Sequence, residues 1–177
     1  MIVYLQMLDS PDERAKFEQL YHRYDGLMHY VAKKILQNEQ DAEDAVQQAF
    51  LAIIRNASKI FSKNFDVECP ETRSLVVIIV ERKAIDILRV RSRRPEAELD
   101  EEIAGWEFPL PGDGPLSDAM AKLPVRYREV LMLHFDNGYT TKEIARLFDM
   151  KQESVQRLIS RAREALRKNL EQEGISV

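Results

Sequence analysis

The sequence predicts an all-α fold of two small helical domains, on the strength of its composition, its apolar spacing and its helix caps. Of 177 residues, 45% are hydrophobic and 32% charged, with only 6 Gly and 7 Pro. That balance excludes collagen-like, disordered and turn-dense all-β chains. Apolar residues recur three and four apart, the period of an amphipathic helix, and polar capping residues precede several of these runs. The length suits one ordinary domain or two small ones. The apolar, uncharged run Ser74 to Val80 falls far short of the ~20 residues of a spanning helix, so no membrane insertion is expected.

The first eight residues, Met1 to Leu8, are apolar without a basic leader or a small-residue cleavage site, and read as a packed N-terminal arm ended by Asp9. Ser10 is the expected N-cap of the first long helix, with Pro11 in its first turn and Glu13 placed for a capping box. Phe17, Leu20, Tyr21 and Tyr24 form its apolar stripe, and Gly26 is expected to break it. A second helix then carries Leu27, Tyr30, Val31, Ile35 and Leu36. Asn38 can cap a third, in which Ala42, Ala45, Val46, Ala49, Phe50 and Ile53 make the buried stripe and the first turn is acidic, as the helix dipole prefers. After a polar, aromatic loop from Asn56 to Pro70, a fourth helix runs from about Glu71 to Arg91, apolar at its start (LVVIIV) and basic at its end.

In the C-terminal half, Leu123-Pro124 opens a helix containing Tyr127, Val130, Leu131, Leu133 and Phe135, and Asn137-Gly138 stops it. Thr140 and Glu143 make a capping box for the short helix TKEIARLF. A turn at Asp149-Met150 leads to a last helix with Val155, Leu158, Ile159, Ala162, Leu166 and Leu170 on one face. Two such helices joined tightly, the second rich in Gln and Arg, are a helix-turn-helix pattern.

A net charge of −4 hides a segregation of sign. Between Glu81 and Arg94, six bases (Arg82, Lys83, Arg89, Arg91, Arg93, Arg94) face two acids; between Thr140 and Leu170, eight bases face four. Pro95 to Ala119 holds eight acids and no base, with four Pro and three Gly, and reads as a linker. Its aromatics, Trp106 and Phe108, can anchor it to a partner or fold back on a neighbouring domain. Local basic patches in an acidic chain point to a polyanionic partner. The lone Cys69 cannot form an internal disulfide, which suits a reducing cytoplasm, and reads as a small residue before a helix.

The last helix can place Gln152, Glu153, Ser154, Gln156 and Arg157 near base edges of a major groove, with Arg161 and Arg163 farther along at phosphates. On the fourth helix, Arg82, Arg89 and Arg93 are spaced to share a cationic face beside Lys83. The preceding loop sets Phe61 and Phe65 among Lys59, Lys63 and Asn64, a mixture that suits stacked single-stranded bases or, equally, a core plug. The acidic run DAEDAVQQAF could hold a metal through Asp41 and Asp44, but no His or Cys accompanies it at ligand spacing. A protein-binding face or a solvated helix start fits it better. With no phosphate loop, nucleophile elbow or zinc signature, no catalytic residue, metal or cofactor is assigned.

Three stretches together resemble the extracytoplasmic-function (group IV) sigma factors of bacterial RNA polymerase: FEQLYHRYDGLMHYVAKKILQNEQDAEDAVQQAFLAI, VIIVERKAIDILRVRSRR and LPVRYREVLMLHFDNGYTTKEIARLFDMKQESVQRLISRAREAL. The resemblance implies sigma region two over 1–94, an acidic linker over 95–116 and sigma region four over 117–177. It implies that Asp41, Asp44, Gln47 and Phe50 bind the core polymerase at the β′ clamp helices, with Phe50 alternatively in the domain core. Lys63, Asn64, Arg82, Lys83, Asp86 and Arg89 are implicated as a region in opening and reading the −10 element. Lys151, Gln152, Glu153, Ser154, Gln156 and Arg157, with Arg161 and Arg163 on phosphates, are implicated at the −35 element. Core polymerase with its β′ and β subunits, promoter DNA and an anti-sigma factor are the implied partners, and the linker is expected in a basic channel of the polymerase.

The chain departs from the family pattern at three places. Arg82 stands where relatives often carry Asn. Lys151 replaces the usual Ser or Thr cap of the recognition helix, losing a capping bond and putting a cation at the positive helix end. Leu158 stands where a base is common. Two rival readings are a stand-alone helix-turn-helix regulator, which would bind duplex DNA tightly by itself, and a carboxylate-metal hydrolase on Asp41 and Asp44, which would hold a divalent ion.

Overall fold

In a computed structural model of the chain, which describes residues 1–62, 64–92 and 114–175, Ser10 starts the longest helix as expected. Its hydroxyl accepts the Glu13 backbone N–H at 3.1 Å. The chain divides into two compact units, Met1–Arg93 and Arg94–Val177. Among the described residues the first holds α1 (Ile2–Gln6), α2 (Pro11–Leu36), α3 (Glu39–Arg55), α4 (Ala57–Ile60) and α5 (Pro70–Ser92). Lys63, Arg93 and most of the expected linker, with Trp106 and Phe108, lie outside the described residues.

Gly26 does not break the first helix; α2 runs through it without interruption, which corrects the two-helix expectation. Tyr24, Met28, Val31 and Ala32, on both sides of the glycine, all bury against the same core. That shared burial outweighs the ~1 kcal/mol that a mid-helix glycine costs relative to alanine. Tyr30, expected on the apolar stripe, is 56% exposed, and Lys34 lies 4.9 Å from its ring centre. Gly26 is exposed and a Cβ there would meet nothing within 4 Å. Gly26→Ala is therefore expected to raise stability by about 0.5–1 kcal/mol, measured by urea unfolding, through a less free unfolded chain. A lowered midpoint would contradict the continuous helix.

Gln37 ends α2 in the left-handed region, at φ 50°. Asn38 then caps α3, its Oδ1 accepting the Asp41 N–H at 3.0 Å. The expected stripe of α3 is buried throughout: Ala42, Ala45, Val46, Ala49, Phe50 and Ile53. Helix α5 carries Leu75, Val76, Ile78, Ile79, Val80, Ala84 and Ile85 into the core. It packs on both α2 and α3, which is why its first half is apolar nearly all round. Cys69 stands just before α5, where its sulfur accepts the Thr72 N–H at 3.3 Å.

The second unit contains α6 (Pro115–Ala121), α7 (Val125–Leu131), a π-helical turn (Met132–Asp136), α8 (Thr141–Phe148) and α9 (Gln152–Gln172). The helix expected to run as one piece to Asn137 widens after Leu131. The Asn137 N–H reaches back five residues to the Met132 carbonyl (2.9 Å), and Tyr139 N–H bonds the Leu133 carbonyl at 2.8 Å. The wider turn keeps Leu133 in the core and leaves Phe135 60% exposed. Gly138, at φ +67°, then reverses the chain in a conformation that side chains resist. Asn169 Nδ2 donates to the Ala119 carbonyl at 3.0 Å, fastening α9 to α6.

Candidate nucleic-acid interface

The capping box at α8 forms in both directions. Thr140 Oγ1 accepts the Glu143 N–H at 3.3 Å, and Glu143 Oε2 accepts the Thr140 N–H at 2.8 Å. Ile144, Ala145, Leu147 and Phe148 turn inward. Asp149 closes the helix at φ 52°, a left-handed conformation that Asp tolerates better than most residues, and the Met150 N–H bonds the Ala145 carbonyl at 2.9 Å. The chain enters α9 through Lys151, whose side chain makes no capping bond. Tyr139, buried beside this hairpin, has its hydroxyl held protonated far above the usual tyrosine range, first by burial and then by the Glu143 carboxylate.

Val155, Ile159 and Ala162 seat α9 on the unit, while Leu158 and Leu166 are half-buried. The opposite side presents Gln152, Glu153, Gln156, Arg157 and Arg161, all exposed and spaced three and four apart, so they share one face. Lys151 is exposed at the start of that face and Ser154 is half-buried. Gln152 Nε2 donates to Thr141 Oγ1 at 3.0 Å, linking the starts of α8 and α9. Arg163 is exposed on the flank, its guanidinium 5.8 Å from the Phe135 ring centre. An amphipathic helix whose free face is Gln, Glu and Arg has the donors and acceptors to read base edges, and cations to meet phosphates.

The basic end of α5 is organised differently from the expected open row. Arg82 is only 4% exposed, and its Nη2 lies 3.5 Å from Asp86 Oδ1. Arg89 Nη1 donates to the same oxygen at 3.4 Å. Asp86, one turn from each, contacts both guanidiniums, and with Arg82 buried the row presented to solvent is not the one that the spacing predicts. Lys83 is half-buried and Asn64 exposed. Phe61 is buried, filling the core with its ring 6.4 Å from Phe17, and Phe65 leans edge-on against it at 5.2 Å. The loop is held to α2 along its length: Lys16 donates to the Phe61 and Ser62 carbonyls, the Tyr24 hydroxyl to the Val67 carbonyl, and Arg23 to both oxygens of Glu68.

On α3, Asp44 and Gln47 are exposed. Asp41 is half-buried and pairs with Arg91 at the end of α5. Phe50 is 1% exposed, its ring centre 4.9 Å from Tyr21, 5.7 Å from Tyr4 and 5.8 Å from Phe17. Among the described residues no group of three or more His, Cys, Asp or Glu is placed to hold a metal ion. No described helix is long and apolar enough to cross a membrane.

Residues 20–94 match the sigma-70 region 2 family and residues 114–166 match sigma-70, region 4. The ECF RNA polymerase sigma factor SigW of Bacillus subtilis (strain 168) is 28% identical over 173 residues, spanning 87% of this chain and 88% of that protein. SigM of Mycobacterium tuberculosis, also an ECF sigma factor, is 27% identical over 156 residues, covering 87% and 76%. The RNA polymerase sigma factor SigV of Bacillus subtilis is 30% identical over 153 residues, covering 82% and 86%. The chain belongs to the ECF sigma factors.

This sigma factor therefore serves RNA polymerase in transcription initiation at promoter DNA, a role that decides between it and the stand-alone regulator. A solved structure, the sigma factor RpoE in complex with the anti-sigma factor NepR from Bartonella quintana, is similar over 88% of this chain and 96% of that one, at 17% identity and a TM-score of 0.39. Three features of the sigma factor were not read from its sequence. Leu51 lies on the α3 face of Asp44 and Gln47 and stays half-exposed; its spacing of seven and four residues from them is the signal. Arg91 pairs across helices with Asp41, which no local spacing announces. Thr141 meets Gln152 only because the turn folds α8 onto α9.

Proposed function

We propose that the two units of this sigma factor divide promoter and polymerase between them. The exposed face of α3, with Asp44, Gln47 and Leu51, docks on the β′ clamp helices of the core enzyme, and Asp41 sits at its edge, shared with Arg91. The loop before α5 and the basic end of that helix, through Lys63, Asn64, Lys83 and the Asp86-centred pair Arg82 and Arg89, handle the −10 element. Helix α9 enters the major groove of the −35 element, with Lys151 to Arg157 toward the bases and Arg161 and Arg163 toward phosphates. The polymerase does the chemistry; the sigma factor supplies choice and opening of the promoter. The observation that carries this reading is the α8–α9 hairpin, whose one free face is Gln, Glu and Arg. An anti-sigma protein covering these faces is part of the same reading.

Arg161→Ala tests the phosphate assignment. The variant holoenzyme is expected to bind different promoters more weakly by the same factor. The slope of log affinity against log salt should fall by about one, as for one lost phosphate contact. Holoenzyme–promoter titrations across salt concentrations read both quantities. Loss confined to one promoter sequence would place Arg161 at a base instead.

A further inference from the structure

We propose that Gln152, held by Thr141, selects adenine in the upstream promoter element; the proposal rests on the reading that α9 enters the major groove there. Thr141 opens α8 and Gln152 opens α9. The turn at Asp149 brings the two helix starts together, so that Gln152 Nε2 donates to Thr141 Oγ1 at 3.0 Å. A glutamine amide carries two N–H donors and one carbonyl acceptor. One N–H is engaged by Thr141. The bond restrains the amide, and when the N–H that Thr141 accepts is the one anti to Oε1, the other N–H stays beside Oε1.

That remaining pair complements one base edge. Adenine presents an acceptor at N7 next to a donor at N6 in the major groove, and can take both bonds at once. Guanine presents acceptors at N7 and O6, so Oε1 would face an oxygen. Thymine offers an acceptor and a methyl group, and cytosine a single donor. A side chain fixed before binding also gives up less rotamer freedom on docking than a free one, so more of the pairing shows as discrimination. The neighbouring Glu153 offers only acceptors and Lys151 only donors, so neither can make this two-way match. Thr141 acts as a positioning residue.

Holoenzyme assembled from the full chain and its cognate core polymerase, selected on a promoter library randomised over the upstream element, tests this base by base. Wild type is expected to favour adenine at one position roughly tenfold to a hundredfold, the range for a good bidentate pair. Gln152→Ala should abolish that preference and leave the other positions alone. Thr141→Val should reduce it several-fold at the same position without altering the salt slope, and Thr141→Ser, which restores the hydroxyl, should keep it. Overturning results are guanine at that position, an undiminished preference in Gln152→Ala, or a Thr141→Val profile identical to wild type. If wild type selects no upstream element at all, the groove reading of α9 fails and the proposal falls with it. If the element persists unchanged in Gln152→Ala, the proposal alone fails.

Discussion

Phe50→Ala is expected to cost about 3–5 kcal/mol, the range for deleting a buried aromatic ring. Phe50 joins Tyr4, Phe17 and Tyr21 in one cluster, so its removal loosens α1, α2 and α3 together. Whole domains are stable by only about 5–15 kcal/mol, so the N-terminal unit would lie near its unfolding limit. Its thermal midpoint should drop by more than about 10 °C. Polymerase binding would fall as a consequence of unfolding. Phe50→Leu, which keeps most of the apolar volume, should recover both stability and binding. The pair of variants separates packing from contact: if Phe50→Ala melted like wild type yet bound polymerase weakly, Phe50 would be an interface residue reached by a rearrangement of α3.

Asp44→Lys is expected to do the reverse. Asp44 is exposed, so the fold should shift by no more than about 0.5 kcal/mol. If its carboxylate meets a basic partner surface, the lysine sets like charges against each other at a cost of several kcal/mol, and affinity for core polymerase should fall by about a hundredfold or more. Titration of labelled core enzyme, with circular dichroism as the fold control, checks both. Asp41 is the less clean probe because it pairs with Arg91, the aspartate half-buried and the arginine exposed. Asp41→Asn should lose an ion pair worth no more than about 1 kcal/mol, as well as any partner contact. Unchanged polymerase affinity in Asp44→Lys would remove α3 from the docking surface.

Helix existence was legible because caps and apolar spacing are local. Ser10, Asn38 and Thr140 each accept the bond that their position predicts. What escaped the sequence is decided between elements. Gly26 looks like a stop until burial on both sides holds the helix together. The π turn after Leu131 follows from where Tyr139 and Asn137 must bond, which spacing does not encode. At the site, the exposed face of α9 could be read from its period, since residues three and four apart must share a face. The basic end of α5 could be read only in part: Asp86 stands four residues from Arg82 and three from Arg89, a spacing that allows both contacts, but the burial of Arg82 is decided by packing between helices. Phe50 carried two readings from sequence, core and contact, and its 1% exposure places it in the core.

The most direct measurement is transcription by purified core polymerase on a randomised promoter library, with and without this sigma factor. New initiation is expected only when it is present, from sequences sharing two elements at fixed separation, one read by each unit. Duplex binding by the isolated sigma factor at physiological salt should be weak. Tight, sequence-specific binding by the isolated protein without any new initiation would contradict the account.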